Sequence, residues 1–348
     1  MSNYNIIGID LAKRKLHIAA LNHNNELILS KSITREDFFT KFLANLAGSQ
    51  VFAFEACGGC HYVAQQLMAL EHKVIILKPK DVKAYARIKQ KNDANDALAI
   101  CRAALDPAIM KVHAKSKQEQ EISYLHKSRQ NTIQQRIQRS NALITSLMEF
   151  GFIVKSGKSK FAKECLHYVE IAFANQYISE AVSIEMRRDC QEIAELIDRE
   201  QALDKTIIKL NKMSEIATKL ETIPGIGPIN ASILSNKSVV QYKTAKDFAA
   251  SLGLVPKQST TGGKIKLGSI TKQGDRYART MLIQGARAII MNSYKNKAII
   301  KDDMVYQFAA RLLKKEKGFN VACVAVANKL ARIAYACTMN QTTYQKVI

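Results

Sequence analysis

Ile6-Ile7-Gly8-Ile9-Asp10 and Val51-Phe52-Ala53-Phe54-Glu55 share one plan, a short apolar run closed by a carboxylate. Such runs read as buried strands. Between them, residues 15–21 and 26–33 alternate well enough to be strands, and Asn22-His23-Asn24-Asn25 makes a hairpin turn. Thr34-Arg35-Glu36-Asp37 caps a helix to about Leu46, with Phe38, Phe39, Phe42, Leu43 and Leu46 on one face. A helix from about His61 to Leu70 follows the second run, then a strand over Lys73-Val74-Ile75-Ile76-Leu77, and Pro79 opens a short helix.

Three strands come first, then helix, strand, helix, strand and helix. The first three strands can form an antiparallel meander, and helical crossovers make the next two parallel. That is the layout of a ribonuclease H-like domain, with the first strand central and Asp10 beside Glu55. Asp93 and Asp96, in Lys91-Asn92-Asp93-Ala94-Asn95-Asp96, lie at i and i+3 where a helix begins. That helix can close over the same edge. Each acid also has a plainer role: Asp10 as a strand-end turn former, Asp93 and Asp96 as a helix cap and a first-turn charge. As a group they are a hard-donor set for magnesium or manganese, which can clamp the oxygens of a phosphodiester.

Charge names the partner class. The chain carries 52 Lys and Arg against 30 Asp and Glu, a net charge of +22, which calls for a polyanion. No apolar run reaches the ~18 residues of a membrane span, and no signal-peptide pattern is seen, so a soluble, cytoplasmic, nucleoid-associated protein is expected. Seven scattered cysteines read as reduced thiols. Cys57-Gly58-Gly59-Cys60-His61 matches a haem-attachment or metal pattern, but with no second CxxC it reads as a Gly-rich turn. No triad elbow and no phosphate-binding Gly-Lys-Ser/Thr loop occurs.

Residues 115–139 are polar and helical, with Arg129, Arg136 and Arg139 among glutamines, and Leu143, Ile144, Leu147 and Met148 continue an apolar stripe. Residues 151–160 break the pattern, and a second long helix spans about 184–217. An antiparallel coiled-coil hairpin is expected over a plain bundle linker. Beyond it, Ile223-Pro224-Gly225-Ile226-Gly227-Pro228 is a helix-hairpin-helix-like turn that can offer amides to phosphate. A helix over 244–252 leads into a loop rich in hydroxyls, glycines and cations. It comprises Lys257-Gln258-Ser259-Thr260-Thr261-Gly262-Gly263-Lys264, then Lys272, Gly274 and Arg276. Basic helices carrying Arg311, Lys314, Lys315, Lys317, Lys329 and Arg332 end the chain and read as a solvated face.

Two groups of motifs, one in each half of the chain, carry a resemblance. Gly8-Ile9-Asp10-Leu11-Ala12-Lys13, Phe54-Glu55-Ala56-Cys57-Gly58-Gly59 and Lys91 to Ala97 resemble the amino-terminal half of the DEDD transposases. Those are the Piv-type invertases and insertion-sequence family 110, here nearest the subgroup of element 1111. Ile223 to Gly227, Gly253-Leu254-Val255-Pro256 and Gly274-Asp275-Arg276 are similar to that family's second domain. The resemblance implies a RuvC-like domain (1–113), a coiled-coil segment (114–217) that helps dimers or tetramers assemble, and a mainly helical transposase domain (218–348). It implies magnesium-dependent recombination with Asp10, Glu55, Asp93 and Asp96 as ligands. It also implies a structured non-coding RNA that bridges donor and target DNA by base pairing.

The family's nucleophile is a serine just before paired glycines. Here Thr260 and Thr261 precede Gly262 and Gly263, and Ser259 stands one step earlier. A threonine hydroxyl can attack phosphorus, though its β-methyl crowds the approach. Ser259 and Thr261 stand level as candidates, with Thr260 behind, and all three have the plainer role of bonding backbone in a turn. Lys257, Lys264, Lys272 and Arg276 are expected to contact nucleic acid with Gly225, Gly227, Gly262 and Gly263. A junction-resolving nuclease, using the acids and metal alone, and a non-catalytic nucleic-acid-binding protein are the competing readings.

Overall fold

The computed structural model describes residues 4–86, 92–155, 157–261, 264–295, 303–314 and 318–345. Lys91, Gly262, Gly263, Lys315 and Lys317 lie outside the described residues, and the side chains of Thr261 and Lys264 are likewise not described. The chain forms two compact units, Met1–Gln120 and Glu121–Ile348. Most of the helical segment expected as a division of its own, 114–217, therefore clusters with the carboxy-terminal part.

In the first unit, β1 (Ile6–Leu11), β2 (Lys15–Leu21), β3 (Leu27–Thr34), β4 (Val51–Glu55) and β5 (Lys73–Leu77) form one sheet of order β3-β2-β1-β4-β5. The first three are antiparallel neighbours, β4 runs parallel to β1, and β5 runs parallel to β4. The helix expected to reach Leu46 is instead three short pieces. They are α1 (Arg35–Asp37), a π-turn over Phe38–Phe42 and a 3-10 turn over Leu43–Asn45. Its cap is as expected: the Thr34 hydroxyl accepts from the Asp37 amide at 3.0 Å. Next come α2 (Cys60–Ala69), α3 (Pro79–Val82) and α4 (Asp93–Leu105).

Period-two alternation splits the core between the two faces of the sheet. Ile7, Ile9, Leu16, Ile18, Phe52 and Phe54 pack with Phe38, Phe42 and α2. Ile6, Ala19, Leu21 and Ala53 pack with Ala97, Ile100, Cys101 and Ala104 of α4. The second face is lined by small residues, and Gly8 is the extreme case. A Cβ there would come within 2.5 Å of both the Ala97 carbonyl oxygen and Cys101 Sγ. The missing side chain lets α4 lie directly on β1.

The second unit holds most of α5 (Lys117–Glu149), then α6 (Phe161–Ala174) and α7 (Glu180–Asn211). The break expected at 151–160 carries no helix among the described residues, α6 follows it, and the second long helix starts earlier and stops earlier than the sequence suggests. Ser214 caps a separate α8 (Glu215–Glu221) by accepting from the Ala217 amide. α5 and α7 run antiparallel: Arg129 pairs with Asp204, Arg136 with Glu200 at 3.0 Å and Arg139 with Glu192 at 2.6 Å. Along this stretch charge spans a polar cleft of about 690 Å³, lined by Gln135, Arg139, Glu192 and Arg199. The apolar contact is at the tip, where Leu143 and Leu147 of α5 join Cys165 and Val169 of α6 and Cys190 and Ile193 of α7.

Then follow α9 (Pro228–Ser235), α10 (Ala245–Ser251), β6 (Pro256–Thr261), β7 (Lys264–Ile270), α11 (Arg276–Lys295), α12 (Met304–Lys314) and α13 (Phe319–Asn340). The helices among these share one core through Leu220, Ile226, Leu234, Phe248, Leu282, Ile290, Val326 and Leu330. Phe319–Asn340 is the one described helix long and apolar enough to cross a membrane, but half of it is buried among these neighbours.

Candidate active site

β1 and β4 lie side by side in parallel register, with Ile9 opposite Phe54. Asp10 and Glu55 are each the next residue along. Alternation turns both toward the face that α4 covers, because Gly8 and Ala53 already face it. α4 continues the arrangement. Its buried stripe of Ala97, Ile100, Cys101 and Ala104 extends one turn back to Asp96 and Asp93. The Asn92 side chain caps the helix, accepting from the Asn95 amide at 2.8 Å. Capping is thereby taken from Asp93, which sits exposed in the first turn beside a half-buried Asp96.

The electrostatics record how close three of the acids are. Burial pushes the Glu55 carboxyl above its ordinary range, and the charges of Asp10 and Asp96 push it further. Asp93 is not among those charges. Three carboxylates gathered at one sheet edge, one of them held up by the other two, fit a hard divalent cation, which would relieve that repulsion. Among the described residues, no three His, Cys, Asp or Glu side chains converge closely enough to enclose an ion by themselves. A divalent ion held there would need water or phosphate oxygens to complete its shell.

Two neighbours of this edge were not legible beforehand. His17 of β2 is the register partner of Asp10, and its Nε2 lies 3.0 Å from the Ser30 hydroxyl. Arg35, just past β3, approaches Gly59 so closely that a Cβ there would lie 3.2 Å from its guanidinium. Burial raises the Cys57 thiol, as do Cys60, Glu55 and Asp10, while Arg35 opposes them. This brings a cation toward the carboxylate edge. Only the strand register and the α2 turn reveal either residue. The Cys57, Cys60 and His61 motif makes no metal group: Cys57 is exposed, Cys60 is buried, and His61 Nδ1 accepts from the Lys115 amide at 3.2 Å.

In the second unit, the stretch expected as a loop is a two-stranded hairpin. Ser259 pairs with Lys266, Thr260 with Ile265 and Thr261 with Lys264, with a register shift between Pro256 and Gln258. The three candidate hydroxyl residues therefore occupy consecutive positions of β6, next to the glycines. Cross-strand partners share a face, so Ser259 stands on the face of Lys266. Thr260 stands on the other, where its hydroxyl receives a bond from Gln258 Nε2 at 3.2 Å. Lys257, Ser259, Thr260 and Lys266 are all exposed.

The hairpin's feet are fixed. Gly253 and Gly274 have φ of +69° and +74°, and a Cβ at Gly274 would lie 1.8 Å from the Ser251 carbonyl oxygen. The buried Arg279 guanidinium donates to the carbonyls of Leu252 and Gln273, both at 2.9 Å. Asp275 accepts from the Ala278 amide at the start of α11 and from Lys237 Nζ at 2.7 Å. Burial raises the Asp275 carboxyl, but Lys237 and the amides outweigh it and hold it below its ordinary range. Lys272, at φ +54°, and Arg276 are exposed beside these feet.

The two glycines of the Gly-x-Gly turn have different surroundings. Gly225 packs inward: its own carbonyl oxygen would lie 2.0 Å from a Cβ at Gly285 of α11. Close helix approach accounts for this glycine. Gly227, at the start of α9, is exposed with open space around it.

Residues 217–301 match a family described as the IS116/IS110/IS902 family of transposases, and residues 7–152 match the DEDD transposase family of IS110 type. A probable family 20 transposase of Pseudomonas aeruginosa is 33% identical over 99% of both chains. The transposase for insertion sequence element IS1328 of Yersinia enterocolitica is 32% identical over 99% of this chain and 100% of its own. The transposase for element IS1111A of Coxiella burnetii is 28% identical over 99% of this chain and 92% of its own.

Proposed function

The chain belongs to the IS116/IS110/IS902 family of transposases, and from that premise we propose a magnesium-dependent, RNA-guided recombinase that cuts and rejoins DNA through a covalent protein–DNA bond. The observation that carries the metal half is geometric: Asp10 and Glu55 end parallel neighbouring strands on the face that α4 covers, and Asp96 lies in the first turn of α4. Asp10, Glu55, Asp96 and, from its exposed turn, Asp93 would hold Mg2+ or Mn2+. Such an ion, when bound, neutralises phosphate charge and polarises the phosphorus–oxygen bonds. The acids would hold the ion beside the phosphodiester, and Arg35 would add a cation next to them.

The hydroxyl comes from the hairpin. Ser259, Thr260 or Thr261 attacks phosphorus, a sugar oxygen leaves with a proton, and the strand stays joined to the side chain. Attack by the sugar hydroxyl of another strand reverses the step and completes the exchange. Ser259 and Thr261 are favoured over Thr260 by register, because their cross-strand partners are Lys266 and Lys264, whereas that of Thr260 is Ile265. Lys257, Lys264, Lys272, Arg276, Gly225, Gly227, Gly262 and Gly263 would contact the backbone of nucleic acid.

Further parts of this reading follow from the family. A structured RNA would supply sequence recognition by pairing, which suits a chain of net charge +22 with no base-reading motif of its own. The first domain (1–113) would be ribonuclease H-like of RuvC type. The helical segment (114–217) would serve assembly into dimers or tetramers, and the last part (218–348) would hold the nucleophile. The protein would work in the cytoplasm on the nucleoid.

Sequencing the nucleic acid that co-purifies with the protein tests the guide. A discrete RNA complementary to two DNA sites is expected, and random fragments alone would remove the RNA. Strand joining by wild type but not by Asp10→Asn tests the enzyme. Hydrolysis without joined strands would return the reading to a junction nuclease.

A further inference from the structure

The last two helices carry a cation cluster for which the described residues supply no ion-pair partner, and its geometry differs from that of a solvated face. From residue 304 to 345 there are six cations (Arg311, Lys314, Lys315, Lys317, Lys329 and Arg332) and one acid, Glu316. Phe308 and Arg311 are three apart on α12, and Lys329 and Arg332 are three apart on α13, so each pair shares a helix face. The Lys329 ammonium lies 4.8 Å from the centre of the Phe308 ring, which brings the two faces together.

Arg311 and Arg332 are exposed, and Lys329 is half-buried between the helices. Burial lowers the Lys329 amine from its ordinary range, and the charges of Arg311 and Arg332 lower it further. Asp303 opposes them, but it is buried and accepts from the Val305 amide at 2.7 Å at the start of α12.

The contrast within the same unit is informative. On α5 and α7, Arg129, Arg136, Arg139, Arg187 and Arg188 each have a carboxylate partner. No ion pair among the described residues takes Arg311, Lys329 or Arg332. Three cations gathered on two packed helix faces, with only the buried, amide-bonded Asp303 opposing them, suit an anion that comes from outside.

We propose that Arg311, Lys329 and Arg332 form a binding site for the sugar–phosphate backbone of a nucleic-acid strand on the carboxy-terminal helices. A lipid surface is the poorer fit, because the apolar face of α13 (Ala322, Val326, Ala327, Leu330, Ala331 and Ala334) is spent on the core. Phosphodiesters occur in both DNA and RNA, and this site reads their shared charge. The proposal rests on the reading of the chain as a nucleic-acid enzyme, but its test reads binding rather than cleavage.

The test titrates the full-length protein into fluorescent duplex DNA and into a hairpin RNA of equal length, across a series of salt concentrations. The compared protein carries Arg311→Gln, Lys329→Met and Arg332→Gln. Methionine keeps an apolar stem on Phe308, and matching melting curves show that the fold is retained. Neutralising three phosphate contacts should lower the slope of log affinity against log salt by about 3 on duplex DNA. The nucleic acid showing the loss identifies the source. The Arg311→Lys, Arg332→Lys variant should keep the wild-type slope.

A folded triple variant with unchanged affinity and slope on both nucleic acids overturns the site. So does a loss confined to vesicles of anionic phospholipid. If the variant loses binding while the wild type never joins strands, the site stands and the recombinase reading falls. If wild type joins strands and the variant binds as wild type does, the reverse holds.

Discussion

Gly8 of β1 and Cys101 of α4 touch backbone to side chain, with room for no further carbon: a Cβ at Gly8 would lie 2.5 Å from Cys101 Sγ. The carboxylate edge depends on this contact. It sets the height of α4 above the sheet, and so the distance of Asp96 from Asp10 and Glu55.

Gly8→Ala should therefore do two things. Overpacking a filled interface costs about 1–3 kcal/mol, read as a lower melting temperature. Metal-dependent strand cleavage should fall by more than the lost stability explains, because α4 is lifted from β1. A variant that melts lower but cleaves normally at low temperature would show that α4 spacing is irrelevant to the site.

Glu55 gives a prediction of opposite sign for stability and function. Its folded pKa lies above its ordinary value of 4.5. The unfolded chain therefore loses its proton first, and stability falls as pH rises from about 4.5 through the folded pKa. Glu55→Gln should melt higher than wild type at pH 7 without divalent metal, and be inactive. Magnesium should raise the melting temperature of wild type and leave that of the variant nearly unchanged. Equal magnesium shifts in both would place the ion elsewhere.

The hairpin can be tested hydroxyl by hydroxyl. Ser259→Ala or Thr261→Ala should abolish the trapped protein–DNA adduct, while Thr260→Ala, on the opposite face from Lys266, should retain it. Mass spectrometry of the adduct settles the residue directly. An adduct outside 259–261 ends the assignment.

Arg279→Met should loosen the hairpin's feet. It leaves the carbonyls of Leu252 and Gln273 without their donor, at a cost of about 1–3 kcal/mol. Hydrogen exchange at the amides of Thr271 and Lys272, which bond to Val255 and Gly253, should quicken more than exchange in α13.

His126 supplies an acid-sensitive joint. Burial, then Arg129, holds its pKa down to about 4, against an opposing pull from Asp275. Its Nε2 lies 2.9 Å from the Ser232 hydroxyl, and Nδ1 has no partner. A depressed folded pKa means that stability is full above about 6.5 and is lost as pH falls toward 4. The slope for one proton approaches about 1.4 kcal/mol per pH unit. Denaturant titrations from pH 7 to 4 should show it, and His126→Gln should flatten it.

The sequence by itself determined the strands, the meander, the parallel pair and the central place of β1, because burial on both faces writes continuous apolar runs ending in acids. It also singled out Asp10, Glu55, Asp93 and Asp96 as one candidate group, through residue type and position at element ends, and only the fold showed which of their charges reach Glu55. Tertiary structure alone decided the rest. Gly225 reads as a phosphate-binding turn in one dimension, and only its φ and its contact with Gly285 show that it also lets α11 pack close. The hydroxyl loop became a hairpin because Gly253, Gly274 and Arg279 hold together two strands whose pairing no local pattern announces. His17 and Arg35 came to the carboxylate edge through strand register and a helix turn. Local periodicity records which face a residue buries; it does not record which distant residue shares that face.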